Sequence, residues 1–265
     1  MLKEVDAVRY DRKMHNGKTT PFLLACEKET GEEVELIAKF SAGCEDQCGG
    51  LICEAIAAAL AKDLGLPIPQ PYIVNISPDF IATVGDEGHK QFLARSCPKG
   101  FGSERLPDGY STWVAPTGKI SDSLLASARS VIAFDSLFVN SDRRAENPNL
   151  MFNGSQIAVI DHEMALRQDM ILFWKAPWTS GAFAPPFSLE KHLFYPMTKG
   201  SLVTDFDIFL QKLTVITDER IEEYASAIPV EWHQKKERIS LAVEYIRDLR
   251  NNARPAIAEL TKALS

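Results

Sequence analysis

The chain has no long hydrophobic run, no excess of basic charge, few cysteines and no internal repeat, and each shortage removes a class of function. The apolar run at residues 55–61 falls far short of the ~20 residues that a bilayer span requires, so no membrane span is expected. The opening residues, MLKEVDAVRYDRK, are charged throughout and lack the apolar centre of a secretion signal. A cytoplasmic protein is therefore the expectation. Lys and Arg number 29 against 36 Asp and Glu, a net charge of −7, which offers no broad field to a phosphate backbone and argues against direct nucleic-acid binding. Five cysteines leave at least one unpaired, and a reducing compartment would keep all of them as thiols. Cys44, Cys48 and Cys53 lack both a CxxC pair and a nearby His, so they read as small buried residues and not as a zinc site.

Several catalytic signatures are missing too. GKTT resembles the end of a Walker A loop, but position 12, where that loop needs glycine, is Arg12. His162-Glu163 starts like the zinc-protease HExxH, yet the closing position is Leu166. There is no GxGxxG and no low-complexity tract.

What is present suffices for a substantial core, since 45% of the 265 residues are hydrophobic, and the length suits two lobes around a cleft. Residues 5–10, 22–26 and 34–40 read as strands of an antiparallel meander, separated by the turn-rich HNGKTT and ETGEE. In residues 51–64, Ile52, Ile56, Leu60 and Leu64 recur along one helical face, and Gly65 with LPIPQP stops that helix. Residues 72–76 and 92–94 read as further strands. CPKGFGSERLPDG breaks the periodicity and reads as a hinge, with Gly100 and Gly102 serving turns or letting backbone approach a ligand. Beyond it, helices are expected at 121–138, 205–213, 218–227, 235–251 and 253–264, with Thr217 and Asp218 marking one start. Residues 174–187, rich in Pro and aromatics, read as a packed surface loop. Trp113, Trp174 and Trp178 read as core or loop anchors.

The fold expected is α+β: an N-terminal lobe at residues 1–96 with a small antiparallel sheet and one helix, a hinge at 97–110, and a mainly helical C-terminal lobe at 111–265.

NSDRRAENPNL, at residues 140–150, carries the chemistry. An Asp, then an Asn five positions on, then a strand-like run ending on a second Asp is the spacing of phosphoryl-transfer enzymes. Asp142 would accept or orient the proton of the attacking hydroxyl, Asn147 would offer its amide oxygen to magnesium, and Asp161 would bind magnesium beside the phosphates. By itself such a segment is a solvated turn. Its placement, after an apolar helix and before a hairpin closed by Asp161, gives it weight, because a carboxylate ending a buried strand needs a partner or a cation.

Lys39 supplies the second half. Alternation along VELIAKF gives it an inward-facing position, where an ammonium needs a counter-charge or an anionic ligand. Glu54 fits, as the only charged residue between Gly49 and Ala61. A strand Lys paired with a helix Glu is how kinases hold ATP phosphates. Arg143 and Arg144 would neutralise phosphate or stay solvated, with Arg143 the stronger candidate.

Lys39, Glu54, Asp142, Asn147 and Asp161 together resemble the HipA-like branch of the protein-kinase superfamily, whose catalytic loop is also similar to that of type II phosphatidylinositol 4-kinases. NSDRRAENPNL is similar to the family pattern N-[ST]-D-R-x3-N, in which an Arg, here Arg143, follows the catalytic Asp. VIDHEMAL is similar to the metal-binding segment, with His162 and Glu163 where other kinases have Phe and Gly, and GLICEAIAAALAKDLGLPIPQP is similar to the family's helix and Pro-rich exit. The resemblance implies a bilobal kinase fold, ATP and Mg2+, a Ser/Thr protein substrate, and leaves room for a small regulatory partner protein. With no GxGxxG, the hairpin tip at residues 15–20, containing Gly17 and Lys18, is left to cover the phosphates through its backbone N–H groups. A lipid kinase, or a catalytically silent kinase fold acting as a binding module, is the alternative.

Overall fold

Strand alternation decides where the first core forms. In β3 (Glu33–Lys39), Val34, Leu36 and Ala38 are buried and the residues between them are more exposed. The matching faces of β1 (Lys3–Lys13) and β2 (Phe22–Glu27) supply Val5, Ala7, Phe22, Leu24 and Cys26 to the same cluster. This computed structural model describes residues 2–14, 19–116, 120–185 and 187–265, and Gly17 and Lys18 lie outside them.

β1, β2 and β3 pair antiparallel as the expected meander, but the sheet goes further. It closes into a barrel in the order β1-β2-β3-β5-β4, where β4 is Pro71–Asn75 and β5 is Lys99–Glu104. Closure comes from a parallel pairing of β1 with β4, Lys3 opposite Tyr72 through Asp6 opposite Asn75, and it removes the sheet's free edges.

The single expected helix is α1 (Cys48–Asp63), but two short helices follow β4. These are α2 (Pro78–Thr83), whose Ser77 cap accepts from the Phe80 N–H, and α3 (Glu87–Ala94), whose Asp86 cap accepts from the His89 N–H. Residues 92–94, expected as strand, are the last turn of α3. Within the 97–110 stretch expected as a hinge, Lys99–Glu104 is β5, hydrogen-bonded on both sides, to β3 and to β4. Its glycines are there for packing: a Cβ on Gly100 would stand 2.6 Å from the Lys39 carbonyl oxygen. Gly100→Ala is expected to cost about 1–3 kcal/mol through overpacking, read as a lower denaturant midpoint in urea.

The register places Lys39 opposite Phe101, on the outer face of the barrel, which α1 covers. The inward position expected for the lysine is thus corrected: the barrel interior takes the alternate residues. Alanine-rich α1 is buried almost throughout, and its residues share one cluster with the C-terminal helices. Small side chains let it pack closely against both the barrel and those helices.

The C-terminal region opens with β6 (Ser111–Thr112) and α4 (Asp122–Leu137), capped by Ser121. β7 (Leu150–Phe152) and β8 (Ile157–Val159) form the expected hairpin, joined by β6 in a three-stranded sheet. Then come α5 (Tyr195–Thr198), α6 (Asp207–Thr214), α7 (Asp218–Ser226), α8 (Lys236–Asn251) and α9 (Ala253–Leu264). Thr217 caps α7 by accepting from the Arg220 N–H. Trp113 packs against Phe152 and Phe194, and Trp174 and Trp178 pack against Tyr245. No helix among the described residues is long and apolar enough to cross a membrane.

Candidate active site

Lys39 is the centre of the site. Its Nζ donates to Glu54 Oε2 at 2.8 Å and to Asp161 Oδ1 at 2.7 Å, joining β3, α1 and the residue that follows the β7–β8 hairpin. Burial by itself would lower the Lys39 pKa, but the two carboxylates outweigh it and hold the ammonium firmly charged. Burial likewise opposes the charge on Glu54; Lys39 and the His162 side chain overcome it and depress that carboxyl, and the His162 backbone N–H donates to Glu54 Oε1 at 2.9 Å.

Asp161 adopts φ +61°, a left-handed conformation that an Asp tolerates better than most residues. The turn it makes ends the strand and leaves its carboxylate partly open, with one third of the side chain exposed.

Asp142 and Asn147 form the second part. Asn147 Nδ2 donates to Asp142 Oδ2 at 2.8 Å, and Asn149 Nδ2 reaches the same oxygen at 3.4 Å. Reciprocal backbone bonds between Arg144 and Asn147, each 3.1 Å, hold the loop. The Ile160 N–H donates to the Asn149 carbonyl at 3.1 Å, so the Asp142 loop is tied to the residue before Asp161. The two halves of the expected site thus lie on adjoining segments.

Arg143 is not where phosphate neutralisation would need it. Its side chain is wholly buried and ion-paired through Nε to Asp135 Oδ2 at 2.6 Å. Nη1 donates to the Pro148, Asn149 and Ile160 carbonyls. It is a strut that fastens α4, the Asp142 loop and the Asp161 strand to one another. Asp135 also accepts from Asn140 Nδ2 at 2.7 Å and faces His192 Nε2 at 3.0 Å. Burial opposes its charge, yet Arg143 and His192 hold it down to about 2. Sequence reasoning missed both Asp135 and His192; the signal was an Asp inside the otherwise apolar VIAFDSLF. Arg144 is exposed, its Nε donating to the Ser141 carbonyl.

Glu163 was missed as well. One oxygen from each of Glu54, Asp161 and Glu163 lies within 4.8 Å of the others. Gly50, in the first turn of α1, makes room for it, because a Cβ there would stand 2.7 Å from Glu163 Oε1. Burial, reinforced by Glu54 and Asp161 and opposed by Lys39, pushes this carboxyl up to about 7. The folded protein therefore binds that proton more tightly than the unfolded chain, and stability falls as pH rises from the ordinary value of 4.5 to about 7. Glu163→Gln is expected to shrink that fall, measured as melting temperature against pH without divalent cations.

The profile describing HipA-like kinases matches residues 7–254. The chain belongs to the HipA-like kinase family. Among solved structures, the Helicobacter pylori proinflammatory kinase CtkA shares the fold of this family member: 96% of this chain and 95% of that one superpose with a TM-score of 0.51 at 12% identity. The curated proteins contain no match. In this HipA-like kinase a strand Lys meets a helix Glu and, across 122 positions of sequence, the carboxylate of Asp161.

Proposed function

We propose that this HipA-like kinase transfers the γ-phosphoryl group of ATP, with magnesium, to the hydroxyl of a serine or threonine in a protein. The observation that carries the proposal is Lys39 held between Glu54 and Asp161. A desolvated ammonium fixed by two carboxylates, with its third N–H left over, is preorganised for a phosphate oxygen.

The donor chemistry fits magnesium. Asp161 and Asn147 offer hard oxygen ligands, and Asn147 has its Nδ2 turned onto Asp142, which leaves Oδ1 as the atom available to a cation. Held by Asp161 and Asn147, a magnesium ion would supply neutralising charge to the phosphates. The chain's own residues do the rest. Glu54 fixes the direction of Lys39, and the His162 N–H fixes Glu54. Asp142 uses Oδ2 for Asn147 and Asn149, keeping Oδ1 for the incoming hydroxyl, whose proton it orients or accepts. Arg143 holds both loops at their spacing.

The net charge of −7 favours a protein acceptor over an anionic lipid surface. Incubating the pure protein with γ-labelled ATP and magnesium, beside Asp161→Ala, tests the reading. Label passing to a protein acceptor with wild type alone supports it. Nucleotide binding without transfer to any acceptor would make the protein a silent binding module, and label entering phosphoinositide would make it a lipid kinase.

A further inference from the structure

Cys48, the first residue of α1, and Cys97, two residues before β5, hold their Sγ atoms 2.7 Å apart across 49 positions of sequence. Cys48 is fully buried and Cys97 only half-buried, so Cys97 is the more accessible residue of the pair. Their surroundings are built around both: Gln234 Nε2 donates to Cys48 Sγ at 3.2 Å, and Ser41 Oγ, two residues beyond Lys39, accepts from the Cys97 backbone N–H at 2.8 Å. The other three cysteines, Cys26, Cys44 and Cys53, are buried.

We propose that Cys48 and Cys97 are a redox modification site: peroxide converts them to a disulfide, and that bond pins the start of α1 and keeps Glu54 on Lys39. Cys97, as thiolate, attacks one peroxide oxygen; the O–O bond breaks and hydroxide leaves, giving a sulfenic acid. The Cys48 sulfur then displaces the sulfenic hydroxyl, which departs as water with the Cys48 proton. Two thiols and one peroxide thus yield one disulfide and two waters. A small thiol reverses it by exchange. Burial pushes Cys48 up to about 12, which disfavours it as the first nucleophile and leaves the attack on peroxide to the less buried Cys97; Cys48, its Sγ 2.7 Å away, is then the sulfur placed to resolve. Disulfides of this kind in reducing compartments are transient and sensory. Glu54 lies six residues beyond Cys48 on the same helix, so a covalent anchor at the first turn restrains the helix that aims it. This thiol chemistry does not depend on the phosphoryl-transfer reading.

The test treats the reduced full chain with hydrogen peroxide, then maps linkages by mass spectrometry without reductant and follows amide exchange. Free thiols are expected to fall from five to three, with a 48–97 linkage. Amide exchange in the first turns of α1 should slow, and melting should rise by roughly 5 °C or more. Dithiothreitol should reverse all three. Cys97→Ser should show neither the linkage nor the slowing. A linkage between other cysteines, five thiols left intact, sulfinic acid at Cys97 in place of a bond, or a 48–97 bond with unchanged exchange in α1 would each overturn the proposal.

Discussion

Asp142→Asn is expected to lower turnover by about 10²–10⁴-fold, the range removed with a general base, while nucleotide binding persists. The separation follows from the geometry. Asp142 touches Asn147 and Asn149, whereas Lys39 is held by Glu54 and Asp161, so the amide removes proton acceptance without disturbing the cation. Asparagine keeps an oxygen for the Asn147 amide and nearly the same shape, which guards the fold. Single-turnover transfer rates and titration with a fluorescent nucleotide measure the two effects separately. A mutant that transfers phosphate at the wild-type rate would remove Asp142 from the chemistry.

Arg143→Ala is expected to destabilise the protein by about 3–5 kcal/mol, the cost of leaving one partner of a buried ion pair alone. The loss exceeds that of a surface pair, usually about 0–1 kcal/mol, because neither side chain of the pair has any exposure. Three backbone carbonyls lose a donor as well. Urea unfolding followed by circular dichroism reads the midpoint. A pH series supplies the cause. Asp135 is held at about 2, below its ordinary 3.8, so its stabilisation is complete above the ordinary value and disappears as pH falls through about 2. In the Arg143 variant that acid-dependent component should shrink to what His192 sustains. Equal stability of the two proteins at neutral pH would show that the strut does not hold the loops.

Both predictions concern one eleven-residue segment, and they separate what could be read in it from what could not. The pairing of Asp142 with Asn147 was legible because the proposed chemistry restricts residue type and spacing within a single loop. Arg143 was legible as a residue but not as a strut, since its partner Asp135 and the His192 that shares that carboxylate come from the helix before and the loop after, and nothing in NSDRRAENPNL points to them. Glu163 was hidden for a similar reason: its neighbours Glu54 and Gly50 lie on a helix more than a hundred positions earlier.

The elements divide along the same line. The helices at α4, α7, α8 and α9 and the β7–β8 hairpin came out within a few residues, because each has a local cause in an apolar stripe, a cap or an Asn-Gly turn. β5 did not. Its glycines resemble a loop until two neighbouring strands and Phe40 crowd against them.

Sequence alone was enough for the residue types of the proposed phosphate-handling site, the pairing of a strand Lys with a helix Glu, and a sheet-rich start followed by a helical remainder, since these follow from side-chain chemistry and short-range periodicity. Tertiary structure alone decided the closure of the barrel, the face of β3 that carries Lys39, the burial of Arg143 and the meeting of Cys48 with Cys97. Each of these depends on which distant segments share a surface, and hydrophobic burial and strand pairing choose those neighbours only when the whole chain folds.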